Sequence, residues 1–203
     1  MTASGSPGSG DAFSDFSFAG HRSKSRAREL ASHVASRQGS ARSLTAMPGY
    51  RVEASRLVPV EPTVAFDRLL KARLPDVFAR GYAAFPAVRE VTEEPPDWGT
   101  VGQIRTIQLA DGGRLRQTIT SVDRPHNYAY LLDDVHGRLR PFVHSVDGVW
   151  SITPRGTGAH VGWAWTMHPK VSPARLTMNV IGRMWKGYAE RALVELETIL
   201  MRD

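Results

Sequence analysis

Residues 158–201 read GAHVGWAWTMHPKVSPARLTMNVIGRMWKGYAERALVELETILM. The first third alternates, with Val161, Trp163, Trp165 and Met167 on one side and smaller or polar residues on the other, which predicts a strand with one buried face. The rest carries Met178, Ile181, Trp185, Tyr188, Ala192, Leu196 and Ile199 at steps of three or four, the pattern of a helix with one apolar stripe. Ser172 is placed to cap this helix and Pro173 suits its first turn, where no intrahelical donor is required. A helix from there to about Met201 would be roughly 43 Å long at about 1.5 Å per residue, enough to cross a whole sheet. Gly182 and Gly187 interrupt it at about 1 kcal/mol each relative to alanine, which implies a close neighbour or a bend.

Working backwards, Phe142 to Thr153 alternates with Phe142, His144, Val146, Trp150 and Ile152 in one phase, and Arg155-Gly156-Thr157-Gly158 turns it into His160 to His168. Asn127 to Leu132 is a further strand after the turn at Pro125. Gly102 to Leu109 and Arg114 to Val122 flank Asp111-Gly112-Gly113 as a hairpin, with Leu115, Gln117 and Ile119 on one face. Ahead of these lie a strand at Tyr50 to Leu57, a helix from Val64 to about Arg73 ended by Pro75, a second short helix at Asp76 to Ala84, and a strand around Ala87 to Thr92. A run of antiparallel strands closed by one long amphipathic helix encloses a volume that side chains need not fill, so an internal binding cavity is the first expectation.

The 203 residues are 41% apolar, enough for one domain and a tail, and contain no cysteine. Disulfides, thiolate metal sites and cysteine nucleophiles are therefore excluded. No apolar run is long enough to span a membrane and no secretory h-region opens the chain, so a cytoplasmic location is expected. Residues 1–46 are rich in Ser, Ala, Gly and Arg and read as a disordered tail, with the domain at residues 47–203. Met47 stands just before the first strand, an alternative translation start. The tail carries six basic and three acidic residues, hence +3 of the formal +6, and its charge predicts no specific nucleic-acid partner. Only four of the 26 basic residues are lysine, a bias that points to genome composition more than to phosphate recognition.

Several polar residues share the phase of the core. Arg105 has the parity of Ile107 and Leu109, so its guanidinium faces the interior, where it would anchor an acidic or carbonyl group, pair with Glu53 or Glu90, or snorkel to the rim. Gln117 and His144 could supply sparse polar groups in an apolar pocket, His144 also as a general base. Tyr130, Trp150, Trp163, Trp165, Met184, Trp185 and Tyr188 are candidates for its walls, Trp163, Trp165 and Tyr188 most of all because strand and helix stripes meet there. His160 and His168 have the opposite phase and should face solvent. No metal site, no phosphate-cradling glycine loop, no nucleophile elbow and no cofactor motif can be read.

Gly99-Thr-Val-Gly-Gln-Ile-Arg105 before the Asp111-Gly-Gly hairpin, Gln117-Thr-Ile-Thr-Ser-Val-Asp123, Tyr130, Val149-Trp-Ser-Ile152 and Gly158 to Met167 ending near Pro169 resemble the polyketide cyclase/dehydrase and lipid-transport (START-like, SRPBCC) superfamily. The resemblance covers about residues 50–201 and implies an α+β helix-grip fold: a curved antiparallel sheet around a long C-terminal helix, with two short helices after the first strand. It further implies cofactor-free binding of a small hydrophobic or amphipathic molecule such as a lipid, hormone or polyketide. A cyclase/aromatase-like enzyme is the alternative, with Arg105 polarising a carbonyl and His144 or Tyr188 moving a proton. A protein-interaction module is a third. Where many relatives carry an acidic residue in the strand after the hairpin, this chain has Gln117. An internal void of several hundred cubic ångströms would favour ligand binding and a filled interior would favour interaction; oligomeric state is left open.

Overall fold

A computed structural model of the protein describes residues 49–170 and 174–202. The tail at 1–46, Met47, and the cap at Ser172 and Pro173 lie outside the described residues. Strand β1 (Tyr50–Val58) leads into helices α1 (Pro62–Lys71) and α2 (Leu74–Val77), followed by β2 (Val88–Thr92), β3 (Ile104–Leu109), β4 (Arg114–Asp123), β5 (Asn127–Asp133), β6 (Val143–Arg155), β7 (Gly158–Pro169) and helix α3 (Ala174–Leu200). The seven strands of the described residues form one antiparallel sheet in the order β1-β7-β6-β5-β4-β3-β2, so β1 pairs with β7. This is the helix-grip fold.

Each junction has a local cause. The Glu61 carboxylate accepts the Val64 backbone N–H at 3.0 Å, and Pro62 occupies the first turn of α1, where its missing donor costs nothing. Pro75 likewise sits in the first turn of α2, opening that helix, whereas α1 already ends at Lys71. The second helix is one turn at Leu74–Val77 and not the expected Asp76 to Ala84. Beyond it Ala83 adopts φ 52°, and Tyr82 and Phe85 exchange backbone hydrogen bonds of 2.8 and 3.0 Å that replace helical ones. A Cβ on Gly81 would meet the Phe85 carbonyl oxygen at 2.9 Å, so this tight loop depends on glycine.

Helix α3, 27 residues and about 40 Å long, lies across the concave face. Its buried side chains are Met178, Ile181, Trp185, Tyr188, Ala189, Ala192, Leu193, Leu196 and Leu200, the expected stripe widened by one neighbouring row, with Ile199 only half-buried. Its far end is fastened twice: Glu197 pairs with Arg56 of β1, and the Leu200 carbonyl accepts from Arg68 Nη1 of α1 at 2.6 Å. No helix among the described residues is long and apolar enough to cross a membrane.

Candidate functional site

The concave face is organised in cross-strand rows. Ile119, Tyr130, Gly148, Trp165 and Val52 stand side by side on β4, β5, β6, β7 and β1; Tyr128, Trp150, Trp163 and Ala54 form the next row. Because Gly148 has no side chain, the Tyr130 ring lies over it; a Cβ there would come within 2.1 Å of the ring. So placed, the Tyr130 hydroxyl reaches β7 and accepts two indole hydrogen bonds, from Trp163 Nε1 at 2.8 Å and Trp165 Nε1 at 2.9 Å. Trp163 stacks on Trp150 with centroids 4.9 Å apart and planes 3° from parallel. Phe78 and Phe85 stack on Tyr188 of α3 at 5.5 and 5.4 Å.

Between this aromatic layer and the helices lies a cavity of about 50 Å³. Its walls are Leu74, Phe78, Val88, Ile107, Leu109, Leu115, Gln117, Tyr128, Tyr130, Leu132, Trp150, Trp163, Trp165 and Tyr188. That volume holds a few water molecules and lies well below the roughly 300–1,000 Å³ of pockets for drug-sized ligands. The wall made by Leu74 and Phe78 has the least regular structure behind it, a four-residue helix and the loop to β2.

Of the residues singled out in the sequence, Gln117, Tyr130, Trp150, Trp163, Trp165 and Tyr188 meet around the cavity. Arg105 stands behind Gln117, buried at 2% exposure, and its charge is answered within the protein: Nε donates to Gln117 Oε1 at 2.7 Å, Nη1 to Glu94 Oε2 at 2.5 Å, and the guanidinium lies 4.1 Å from the centre of the Trp98 ring. The carboxylate is therefore Glu94, not Glu53 or Glu90. Its approach follows from the turn before it, where Glu93 takes φ 60° and accepts the Thr106 hydroxyl at 2.6 Å, leaving Glu94 on the side of Arg105. Trp185 is fully buried but packs behind the cavity, 5.0 Å from Trp163, with its Nε1 unpaired among the described residues. Met184 is half-buried and also outside the lining.

His144 is a correction. The pairing of β6 with β7 shifts between Val143 and Ser145, so one extra residue turns Val143 and Val146 inward and His144 outward. Phe142 is likewise exposed. His144 joins Arg116, Asp133, Asp134, His136, Arg140 and Lys170 around an open surface depression, away from the aromatic cavity. Sequence parity could not detect the bulge, because alternation counts residues and a bulge adds one. His160 and His168 lie on the outer face of β7, His168 Nε2 2.7 Å from Asp147 Oδ2. Among the described residues no three His, Asp or Glu side chains gather as a metal site.

Three residues escaped the sequence reading. Tyr128 shares the parity of Tyr130 and could have been found from it; Phe78 sits in a segment without periodicity, and Glu94 in a loop. Burial pushes the Tyr128 phenol up to about 12, and burial drives Tyr130 and Tyr188 still higher, so all three hydroxyls hold their protons throughout the physiological range.

The family model described as polyketide cyclase/dehydrase and lipid transport matches residues 50–200. The chain belongs to that family. Solved structures that share this family member's fold include ginseng major latex-like protein 151 from Panax ginseng, at 10% identity and TM-score 0.59, covering 77% of this chain and 100% of that one. TTHA0849 from Thermus thermophilus gives 15% identity and TM-score 0.57, covering 75% and 97%; Ara h 8.0201 gives 14% and 0.56, covering 76% and 99%. At these identities the likeness is one of fold. No curated protein matches the sequence.

Proposed function

We propose that this family member binds a small, largely apolar molecule in the cavity between sheet and helices. The supporting observation is the lining itself: seven aromatic side chains, aliphatic side chains, and side-chain polar groups confined to Gln117, three phenols and three indole N–H groups. A molecule larger than a few heavy atoms enters by displacing Leu74 and Phe78, the wall with the least backbone behind it. Gln117, Tyr130, Trp150, Trp163, Trp165 and Tyr188 then contact it, while Arg105 supports Gln117 and makes no contact of its own. Trp185 packs against Trp163 and Trp165 and Met184 against the core, both outside the lining, and His144 takes no part. The cyclase/aromatase alternative loses its general base with His144, and the three phenols, held protonated, offer acid groups only.

The small volume of the cavity favours one competing reading, a filled domain that works through its exterior as an interaction module. Native mass spectrometry of the purified full chain, compared with the denatured mass, separates the two. The binding reading expects a releasable adduct, or saturable quenching of tryptophan emission by 1-anilinonaphthalene-8-sulfonate. A bare mass together with unchanged emission at saturating dye would overturn it in favour of the interaction module.

A further inference from the structure

Hydrogen-bonding capacity in the cavity is one-sided, and the asymmetry begins outside it. An arginine side chain has donors and no acceptor. Since Arg105 Nε donates to Gln117 Oε1 at 2.7 Å, the reverse orientation of the amide would set two donors against each other. Arg105 therefore locks the amide with its oxygen turned away and its NH2 group toward the cavity that Gln117 lines, where no described residue accepts from it. Tyr130 is biased in the same direction by different partners. Its oxygen accepts from both Trp163 Nε1 and Trp165 Nε1, which occupies its lone pairs, and its own proton has no acceptor among the described residues. Gln117 and Tyr130 are diagonal neighbours on β4 and β5, since Gln117 pairs with Leu132 and Ile119 with Tyr130, a spacing that long side chains bridge. Tyr128, 3% exposed and without a described partner, adds a third hydroxyl nearby. What remains able to accept is phenol oxygen, a weak acceptor, on Tyr128 and Tyr188.

Resting on the reading of the cavity as a ligand pocket, we infer that the pocket selects an apolar molecule bearing one hydrogen-bond acceptor, a ketone, aldehyde or ester carbonyl, placed between Gln117 Nε2 and the Tyr130 hydroxyl. Ammonium groups, which only donate, are disfavoured, because they would meet donors and find no acceptor stronger than the Tyr128 and Tyr188 phenol oxygens. Arg105 is a positioning residue in this scheme: it acts through the orientation of Gln117.

Three probes of nearly one shape test this on the full chain: acetophenone, α-methylstyrene, in which CH2 replaces the carbonyl oxygen, and 1-phenylethylamine. Tryptophan emission reports occupancy, and the Gln117 side-chain amide protons report the hydrogen bond by NMR. Acetophenone is expected to bind about tenfold more tightly than α-methylstyrene, the upper range for a neutral hydrogen bond, although it is the less hydrophobic of the two. It alone should shift the Gln117 amide protons downfield, and the amine should bind weakest. Gln117→Glu keeps two oxygens for Arg105 and removes the donor, so it should abolish the acetophenone preference. Equal affinity for acetophenone and α-methylstyrene in the unaltered protein, unmoved Gln117 amide protons on acetophenone binding, or tightest binding of the amine would each overturn the donor assignment and leave the pocket standing. Saturable binding of none of the three would overturn the pocket and the assignment together.

Discussion

Tyr130 is fixed by three neighbours at once: Gly148 beneath its ring and the indoles of Trp163 and Trp165 at its hydroxyl. The arrangement links β5, β6 and β7 through side chains as well as through the backbone ladder. A methyl group at position 148 would stand within 2.1 Å of the ring and force it out of place. Gly148→Ala should therefore unpair two buried indole N–H groups and destabilise the fold by about 2–4 kcal/mol, given about 1–3 kcal/mol for each unsatisfied buried donor with partial relaxation. Urea titration measures the loss, and the near-ultraviolet dichroism of the tryptophans should collapse toward a weaker signal at the same time. A variant with wild-type stability and an unchanged tryptophan signal would contradict the account. The sequence marked Trp163 and Trp165 by alternation, and Tyr130 as an amphipathic side chain on a neighbouring strand. It could not mark the glycine that makes room, because a cross-strand partner follows from register, and register is a long-range property.

At the scale of elements, the two glycines in α3 acquire specific neighbours. A Cβ on Gly182 would meet the Tyr50 ring of β1 at 2.6 Å, and one on Gly187 would meet the Tyr82 ring at 2.5 Å, a ring already covered by the Arg191 guanidinium at 4.6 Å. These are the close neighbours that the helix pattern called for, and they are protein side chains. Propensity by itself would make Gly187→Ala stabilising by about 1 kcal/mol. The contact with Tyr82 reverses the sign: about 1–3 kcal/mol of overpacking outweighs the gain, so the variant should melt below the parent. Thermal unfolding by circular dichroism decides this, and a raised Tm would sink the argument. The amphipathic stripe of α3, the hairpin at Asp111-Gly112-Gly113 and the succession of strands along the chain were legible because they rest on periodicity and turn chemistry, whereas the pairing of β1 with β7 was not. The one-turn α2 and the bulge in β6 were not, since both replace a local preference by a tertiary arrangement.

At the scale of the molecule, three buried phenols with raised pKa values couple stability to alkaline pH. Their folded values lie above the ordinary value of an unfolded tyrosine, so the stabilisation is fully present below about pH 10 and is lost as pH rises from there through the folded values. Tyrosinate absorbance near 295 nm should therefore show a fraction of the five tyrosines that stays silent above pH 10 and ionises only with unfolding. Ionisation of all five as ordinary phenols, before any loss of structure, would refute this. On the acid side the sign is opposite: the Arg124 guanidinium bonded to Asp67 and the His136 ring bonded to Asp134 hold those exposed carboxyls below their usual range, so what they contribute is lost as pH falls through it. By itself the sequence determined the succession of elements, the α+β class and the aromatic character of the concave face, because hydrophobic periodicity, turn residues and caps act over a few positions. Only the tertiary structure decided that Arg105 is answered by Glu94 and Trp98, that His144 lies outside, and that the aromatic face closes on a cavity of about 50 Å³. Those depend on register, on one inserted residue and on the packing of rings from distant segments, and volume is the property that a pattern of residue types carries least.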